Sequence, residues 1–162
     1  MPHVEHRPQC FRKTGENMLE SGLWNTIQKN LGKTPGLHME RIENVIGIGT
    51  PDVNLCYKGR EAWVELKLLR EFPKRPTTTI KIPHFKAEQL YYLQQRTKAG
   101  GRAWLFVQVQ GEGYFLFHPD QAAQIFRGEL TQEDWWMEAH KAWSGRCLWG
   151  EWLGLVSGGI YG

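Results

Sequence analysis

Apolar and polar residues alternate on both sides of a short glycine-containing turn near position 59. Val, Leu and Tyr occupy every second position of 53–57, and Val, Leu and Leu do the same in 64–68, with Lys-Gly-Arg at 58–60 between the two runs. Such alternation around a turn predicts a β-hairpin. Because successive strand side chains point to opposite faces, the second strand would bury its apolar side and turn Glu65 and Lys67 towards an open cleft.

A helix and a strand are predicted before this hairpin. In 15–31, apolar residues recur at spacings of three and four, which predicts an amphipathic helix that ends at Gly32. The run 38–49 is predicted to enter the hairpin as a strand whose two glycines loosen the backbone before Pro51. Residues 1–14 show no periodicity, and we interpret them as a flexible N-terminal arm.

The segment after the hairpin is predicted to be a loop, a helix and two strands. Three prolines in 70–84 exclude a long helix, whereas 85–99 is amphipathic and ends at two glycines. The runs 102–110 and 113–118 are apolar on both faces, as expected of buried strands. This order of elements predicts an α/β fold with a mixed central β-sheet flanked by helices.

The last forty residues are rich in tryptophan. A helix is predicted to open at Pro119 and a second one at Thr131, because both positions carry start signals. Five of the eight tryptophans lie in 135–152, and we expect them to fill a core or a subunit interface. The glycine-rich tail 154–162 is predicted to be mobile. Residues 15–162 would then form a single domain with a Trp-rich C-terminal extension.

Composition narrows the class of protein. The 162 residues are 41% hydrophobic and 23% charged, which is typical of a soluble globular domain. No apolar run approaches the about 20 residues of a membrane span, and the N-terminus has no apolar signal core. Three cysteines without a CxxC pair indicate a reduced cytoplasmic compartment. There is no P-loop, so no nucleotide cofactor is expected.

The distribution of charge is more informative than the net charge of +3. Residues 1–57 are neutral overall, 58–102 hold eleven basic and four acidic residues, and 103–162 hold three basic and seven acidic ones. The basic middle third would give affinity for the phosphates of a nucleic acid. A basic loop within it is expected to bind DNA through Arg70, Lys74, Arg75 and Lys81.

The hairpin also predicts a site for a divalent cation. If the two strands pair around Gly59, Asp52 at the start of the first strand comes near Glu65 on the second. Two carboxylates bind Mg²⁺ well, and the Leu66 carbonyl is a natural additional ligand. A bound cation acidifies water into a nucleophile, and Lys67 could orient that water or stabilise charge at phosphorus. We expect Mg²⁺ as cofactor, with Mn²⁺ able to substitute.

Pro51-Asp52, a twelve-residue gap and Glu65-Leu66-Lys67 together resemble the motif of the PD-(D/E)XK nuclease superfamily. The resemblance implies a restriction-endonuclease-like α/β/α core in which Asp52 and Glu65 hold the metal and Lys67 assists the attacking water. The resolvase branch carries a further metal-binding Glu on its first helix. Glu20 matches it by position, and Glu43 is a second candidate for this acid.

Other parts of the chain extend the resemblance. An Arg on the strand before the motif often contacts the scissile phosphate in this superfamily, which implies a DNA-binding role for Arg41. A Gln on the helix after the motif lies near the active site of related nucleases, and Gln89 matches it. The run at 100–104 is similar to that of VRR-NUC nucleases, although Gln108 stands where those commonly have an Arg.

The resemblance implies a structure-selective endodeoxyribonuclease, similar to the Holliday junction resolvases of phages and archaea. Such an enzyme would make paired nicks in four-way junctions, and we expect a homodimer. Candidates for its interface are the Trp-rich segment and the apolar residues Leu23 and Trp24. It would act in the cytoplasm, or in the host cytoplasm if viral. Two alternatives stay open: a restriction-like, flap or repair nuclease, and a DNA-binding module without catalysis.

Overall fold

A computed structural model of the chain describes residues 15–43 and 48–159, and the side chains of 21–43 and 48–159. The predicted flexible arm, the Val45-Ile46 part of the predicted strand and the last three residues lie outside it. Its elements in chain order are α1 (Gly15–Leu31), β1 (Leu37–Arg41), β2 (Val53–Tyr57), β3 (Arg60–Leu69), α2 (Ala87–Lys98), β4 (Ala103–Val109), β5 (Gly113–Phe117), α3 (Pro119–Phe126), α4 (Gln132–Glu138), β6 (Lys141–Ser144) and α5 (Trp149–Val156).

The strands form one mixed sheet in the order β1-β2-β3-β4-β5-β6. Strands β3 and β4 are parallel and are joined through α2, whereas the other neighbouring pairs are antiparallel. Parallel neighbours need a long crossover connection, and the loop after β3 together with α2 provides it. The predicted α/β fold with a mixed central sheet flanked by helices is confirmed.

The predicted hairpin is the β2–β3 pair, in which Tyr57 lies opposite Arg60 and Val53 opposite Val64. Lys58 and Gly59 form its two-residue turn with φ angles of 49° and 81°. Positive φ at both central positions matches the twist of the strands. Glycine adopts this conformation easily and lysine does not, so Gly59 relieves the backbone strain at one of the two turn positions.

The two faces of the sheet bury separate cores. Helices α1 and α5 cover the face that carries Val53, Leu55, Val64 and Leu66. Helices α2, α3 and α4 cover the opposite face, whose core includes these residues of the central strands: Leu69, Leu105, Val107, Phe115 and Phe117. Strand β3 therefore presents Val64 and Leu66 to one core, and Glu65 and Lys67 to the face under α2.

The Trp-rich segment belongs to the cores and forms an additional strand. Strand β6 pairs with β5, and Trp135, Trp143 and Trp152 are buried. The mobile tail expected from residue 154 onward is wrong for the part that the structure describes, because α5 extends to Val156. The Trp104 indole N–H donates to the Val156 carbonyl at 3.0 Å and ties this helix to β4.

The two surfaces expected for a dimer interface differ in their exposure. Leu23 and Trp24 are buried against the sheet, as are three of the C-terminal tryptophans. Leu23 and Trp24 are therefore not available to a partner, whereas the Trp-rich segment keeps Met137 and Leu148 exposed, and its use in a homodimer stays a prediction. Within the described part of the chain, none of the helices has the length and apolarity needed to span a bilayer.

Candidate active site

The Asp52 side chain accepts a backbone hydrogen bond from β3 at the point where the pairing with β2 ends. The β2–β3 pairing ends at Val53 and Val64. The Leu66 N–H lies just beyond that end, and it donates to Asp52 Oδ2 at 2.8 Å. The Asp52 carbonyl accepts from the Ile42 N–H at 2.7 Å. Asp52 is therefore fixed between β1 and β3 by its backbone and its side chain.

Glu65 and Lys67 lie side by side on the next positions of β3. Their Oε1 and Nζ atoms are 3.5 Å apart, and their residues are only 1% and 3% exposed. Lys67 Nζ also donates to the His84 carbonyl at 3.1 Å. The expected open cleft is thus wrong at these two residues, because the chain that leads into α2 covers them. The predicted convergence of Asp52, Glu65 and Lys67 is present.

Burial dominates the electrostatics of Asp52. Desolvation raises the pKa of its carboxyl above the ordinary value, because the charged form loses water. The hydrogen bond from the Leu66 N–H opposes this rise in pKa, and the positive charge of Lys67 does the same. The hydrogen bond with the Glu65 carboxyl and the charge of Arg41 lower the pKa further. The site therefore holds two adjacent carboxyl groups in a poorly hydrated place, where a bound cation would stabilise the charged forms of both.

Arg41 is close to this pair, whereas neither accessory acid is shown there. Arg41 ends β1 opposite Val53, and its charge acts on Asp52. Glu43 is exposed beyond the end of that strand. The Glu20 side chain lies outside the described side chains, and α1 packs on the face of β3 that carries Leu66. Which acid assists the metal stays a prediction, as does the Leu66 carbonyl ligand.

The residues of the predicted basic loop surround a pocket beside Lys67. The four basic side chains of this loop are exposed. Three of them, Arg70, Lys74 and Lys81, line a cavity of about 470 Å³ together with Lys67 and His84. Arg75 is not among its lining residues. The DNA-binding role of the loop stays a prediction, but the structure places positive charge next to the carboxylate pair.

Gln89 has a structural contact at the start of α2. Its Oε1 atom accepts from the Lys86 N–H at 2.9 Å, which caps the helix. This contact accounts for a Gln at the third helical position without any ligand. The DNA-binding role implied by the resemblance stays a prediction for this residue.

No protein-family model matches the chain, and no curated protein matches its sequence. The fold is similar to a solved Holliday junction resolvase. That structure is Hjc from Archaeoglobus fulgidus, an archaeal hyperthermophile. The similarity covers 92% of this chain and 100% of that one, with 12% sequence identity and a TM-score of 0.49. Similarity at this level does not transfer an activity, so the function of this chain has to be argued from its own site.

Two further residues shape the site through their backbone conformations, and only one of them was indicated by the sequence. His84 adopts a φ of 61°, and its carbonyl accepts from Lys67. Gly49 has a φ of 95°, and a Cβ added there would lie 2.5 Å from the Glu88 carbonyl oxygen. Glycine thus lets the segment before Asp52 pack directly on the first turn of α2. The Gly-rich approach to Pro51 signalled Gly49, whereas no pattern signalled His84.

The donor set fits a hard cation only in part within the described residues. Among these, no three His, Cys, Asp or Glu side chains come together as a metal-binding group. Two carboxylates are nevertheless sufficient for Mg²⁺, which keeps several waters and takes further oxygen ligands from substrate phosphate. Asp52 and Glu65 are therefore the residues that could hold such an ion.

Proposed function

We propose that this chain is a Mg²⁺-dependent endodeoxyribonuclease that acts on branched DNA, with the four-way junction as its substrate. The observation that carries the proposal is the convergence of Asp52, Glu65 and Lys67 on one buried site at the edge of β3. A structural ion pair would need one carboxylate for one ammonium. Asp52 adds a second buried carboxyl group beside Glu65, and a bound cation would stabilise the charged forms of both.

The residues of this site would have distinct roles in phosphodiester hydrolysis. Asp52 and Glu65 would hold the cation, and the Leu66 N–H keeps the Asp52 carboxylate oriented. Lys67 is held by the His84 carbonyl, so that its ammonium can stabilise the negative charge that develops on the phosphate. When bound, Mg²⁺ would supply Lewis acidity and a nucleophile at neutral pH.

The charges around the site favour a nucleic-acid substrate. Arg41 approaches Asp52 from β1, and Arg70, Lys74 and Lys81 lie around the pocket beyond Lys67. Contacts of this type bind the phosphate backbone and position it without reading sequence. A substrate that carries dense negative charge could therefore reach the buried carboxylates in spite of their own charge.

A four-way junction has two-fold symmetry, and one chain supplies one site. Paired incisions within a single binding event would therefore require two chains, and a two-fold dimer is the commonest arrangement. We propose a homodimer for this reason. Light scattering on the DNA-bound and free protein would test it, because a monomer of 18.8 kDa that cuts only one strand would contradict the resolvase assignment.

The enzymatic proposal is tested by cleavage of a mobile four-way junction, a flap, a fork and a linear duplex with and without Mg²⁺. We expect Mg²⁺-dependent nicking that is fastest on the junction and is abolished by Asp52→Asn and by Glu65→Gln. The matched control is Glu61→Gln, an exposed carboxylate of the same strand, which should cleave like the wild type. If Asp52→Asn cleaves at the wild-type rate, the proposal is wrong. Preference for the flap would instead identify a flap or repair nuclease.

A further inference from the structure

The pocket beside Lys67 has features that binding of phosphate alone does not explain. It lies where β3 ends and the following loop begins, and its volume is about 470 Å³. In open α/β sheets, ligands bind in crevices at the carboxyl ends of the parallel strands, and β3 is one of the two parallel strands here. The volume lies within the range of pockets that enclose small organic ligands.

The lining of this pocket combines two chemical characters. Leu68, Pro73 and Pro83 contribute apolar surface that is half-buried or exposed, and Phe72 and Ile80 close the wall behind them. Four cationic side chains line the same space, whereas Glu71 is the one carboxylate among its lining residues. A ligand that matches this lining has an apolar part and a negative charge.

We propose that this pocket holds the base of an unpaired nucleotide next to the phosphate that is cut. The inference rests on the proposed nuclease function, because that function brings DNA to Lys67, which belongs to both the site and the pocket. A nucleotide has the required combination of an apolar base and an anionic phosphate. Bases of a continuous duplex are stacked and cannot enter a side pocket unless they leave the stack.

The pocket therefore gives a physical reason for selecting branched DNA over duplex. Unpaired nucleotides at a flap or bulge enter without the loss of stacking that a duplex base would suffer. The bases of a four-way junction are paired, but a pair at its open centre has lost one stacking neighbour, so one of its bases leaves the stack at a lower cost than a base inside a duplex. Contacts between a base and a protein surface tolerate any sequence, since every base has an apolar face. The selection would then depend on whether a base is unpaired and not on which base it is.

The test is a binding measurement without metal, so that cleavage plays no part. In EDTA, fluorescence anisotropy compares a duplex that bulges one thymine with the same duplex carrying an abasic analogue at the bulge. We expect roughly ten-fold tighter binding of the thymine bulge, in the range of one base contact. Equal affinities for the two duplexes would overturn the pocket assignment.

Two proline substitutions locate the preference. Pro83→Glu places a carboxylate in the apolar lining and should reduce the thymine-to-abasic ratio to about one. Pro76→Glu adds the same charge to the same loop at an exposed residue outside the pocket lining, and it should keep the ratio. Because the ratio compares two DNAs of nearly equal charge, it cancels the general repulsion. A Pro83→Glu protein that keeps the full preference would overturn the assignment.

A second measurement on the wild type needs no variant. Thymidine 5′-monophosphate should raise the urea midpoint in EDTA at concentrations at which inorganic phosphate does not, because only the nucleotide carries a base. Equal effects of the two ligands would mean that the pocket takes phosphate only, and would refute the base pocket. A base preference found together with no Mg²⁺-dependent cleavage would support the pocket and reject the nuclease proposal.

Discussion

Replacing Lys67 by Met tests whether the ammonium compensates a buried excess of negative charge. Lys67 Nζ lies 3.5 Å from Glu65 Oε1 and donates to the His84 carbonyl at 3.1 Å. Lys67 and Glu65 are almost fully buried. Met keeps most of the side-chain volume, so the substitution removes charge while it disturbs packing little.

The expected effect on stability is large. Removing one partner of a buried ion pair costs about 3–5 kcal/mol, because the other charge stays desolvated. For a chain of this size, each kcal/mol lowers Tm by roughly 2–4 °C, so a decrease of about 6–20 °C is expected. Urea unfolding followed by tryptophan fluorescence would measure it. Lys29→Met, at an exposed position of α1, is the control and should stay within about 0.5 kcal/mol of wild type.

The pH dependence of this loss has a defined sign. Burial raises the pKa of Asp52, and Lys67 partly counteracts that rise. When the folded-state pKa of a group lies above its unfolded-state pKa, the folded protein binds more protons at any pH between the two values. The free energy of unfolding therefore falls as pH increases through that pH window. Without Lys67 the folded-state pKa of Asp52 rises further, so the upper limit of this pH window moves to higher pH. The difference in stability between variant and wild type should therefore be smaller at pH 5 than at pH 8.

Two outcomes would refute this reasoning. If Lys67→Met unfolds at the same urea concentration as Lys29→Met, the ammonium does not compensate buried charge. If the loss is large but identical at pH 5 and pH 8, it arises from packing. The double variant Asp52→Asn/Lys67→Met separates these causes further, since removing a carboxylate should recover part of a charge effect and none of a packing effect.

Four further predictions follow from the site and its surroundings. Asp52→Asn should raise the urea midpoint of the metal-free protein at pH 7, because the amide oxygen still accepts from the Leu66 N–H and the charge is gone; a decrease would contradict this. Mg²⁺ should raise the Tm of the wild type and leave that of Asp52→Asn unchanged. Gly49→Ala should cost at least about 1 kcal/mol in urea unfolding, since its backbone conformation disfavours side chains, whereas Gly22→Ala, in an open part of α1, should stabilise or be neutral. Neutralising the four basic side chains of the loop together should lower the log–log salt slope of DNA binding by up to about one per lost phosphate contact. An unchanged slope would mean that the loop only connects β3 to α2. The four residues are Arg70, Lys74, Arg75 and Lys81.

The parts of the fold that the sequence predicted were those with a clear period. The β2–β3 hairpin and the helix at 87–98 each repeat their apolar positions, and the register of the hairpin is sufficient to place Asp52 near Glu65. The burial of Glu65 and Lys67 could not be predicted, because their cover comes from the segment that leads into α2, where the His84 carbonyl accepts from Lys67. Strand β6 was missed because its four residues, KAWS, are too few to show an alternation.

The hydrogen bond from Leu66 to Asp52 divides the site into two parts. The backbone hydrogen bonds of one part open rarely, and those of the other part open easily. Leu66 and its neighbours pair with β4 along one side, and the Asp52 side chain holds the amide on the other side. Backbone amides in such a position exchange their hydrogens only in large-scale opening, whereas exposed loops without regular structure exchange at little cost. The carboxylates would thus keep a constant geometry while the cationic loop adjusts to DNAs of different shape. Hydrogen exchange should show this as slow exchange at Leu66 beside fast exchange at 74–79.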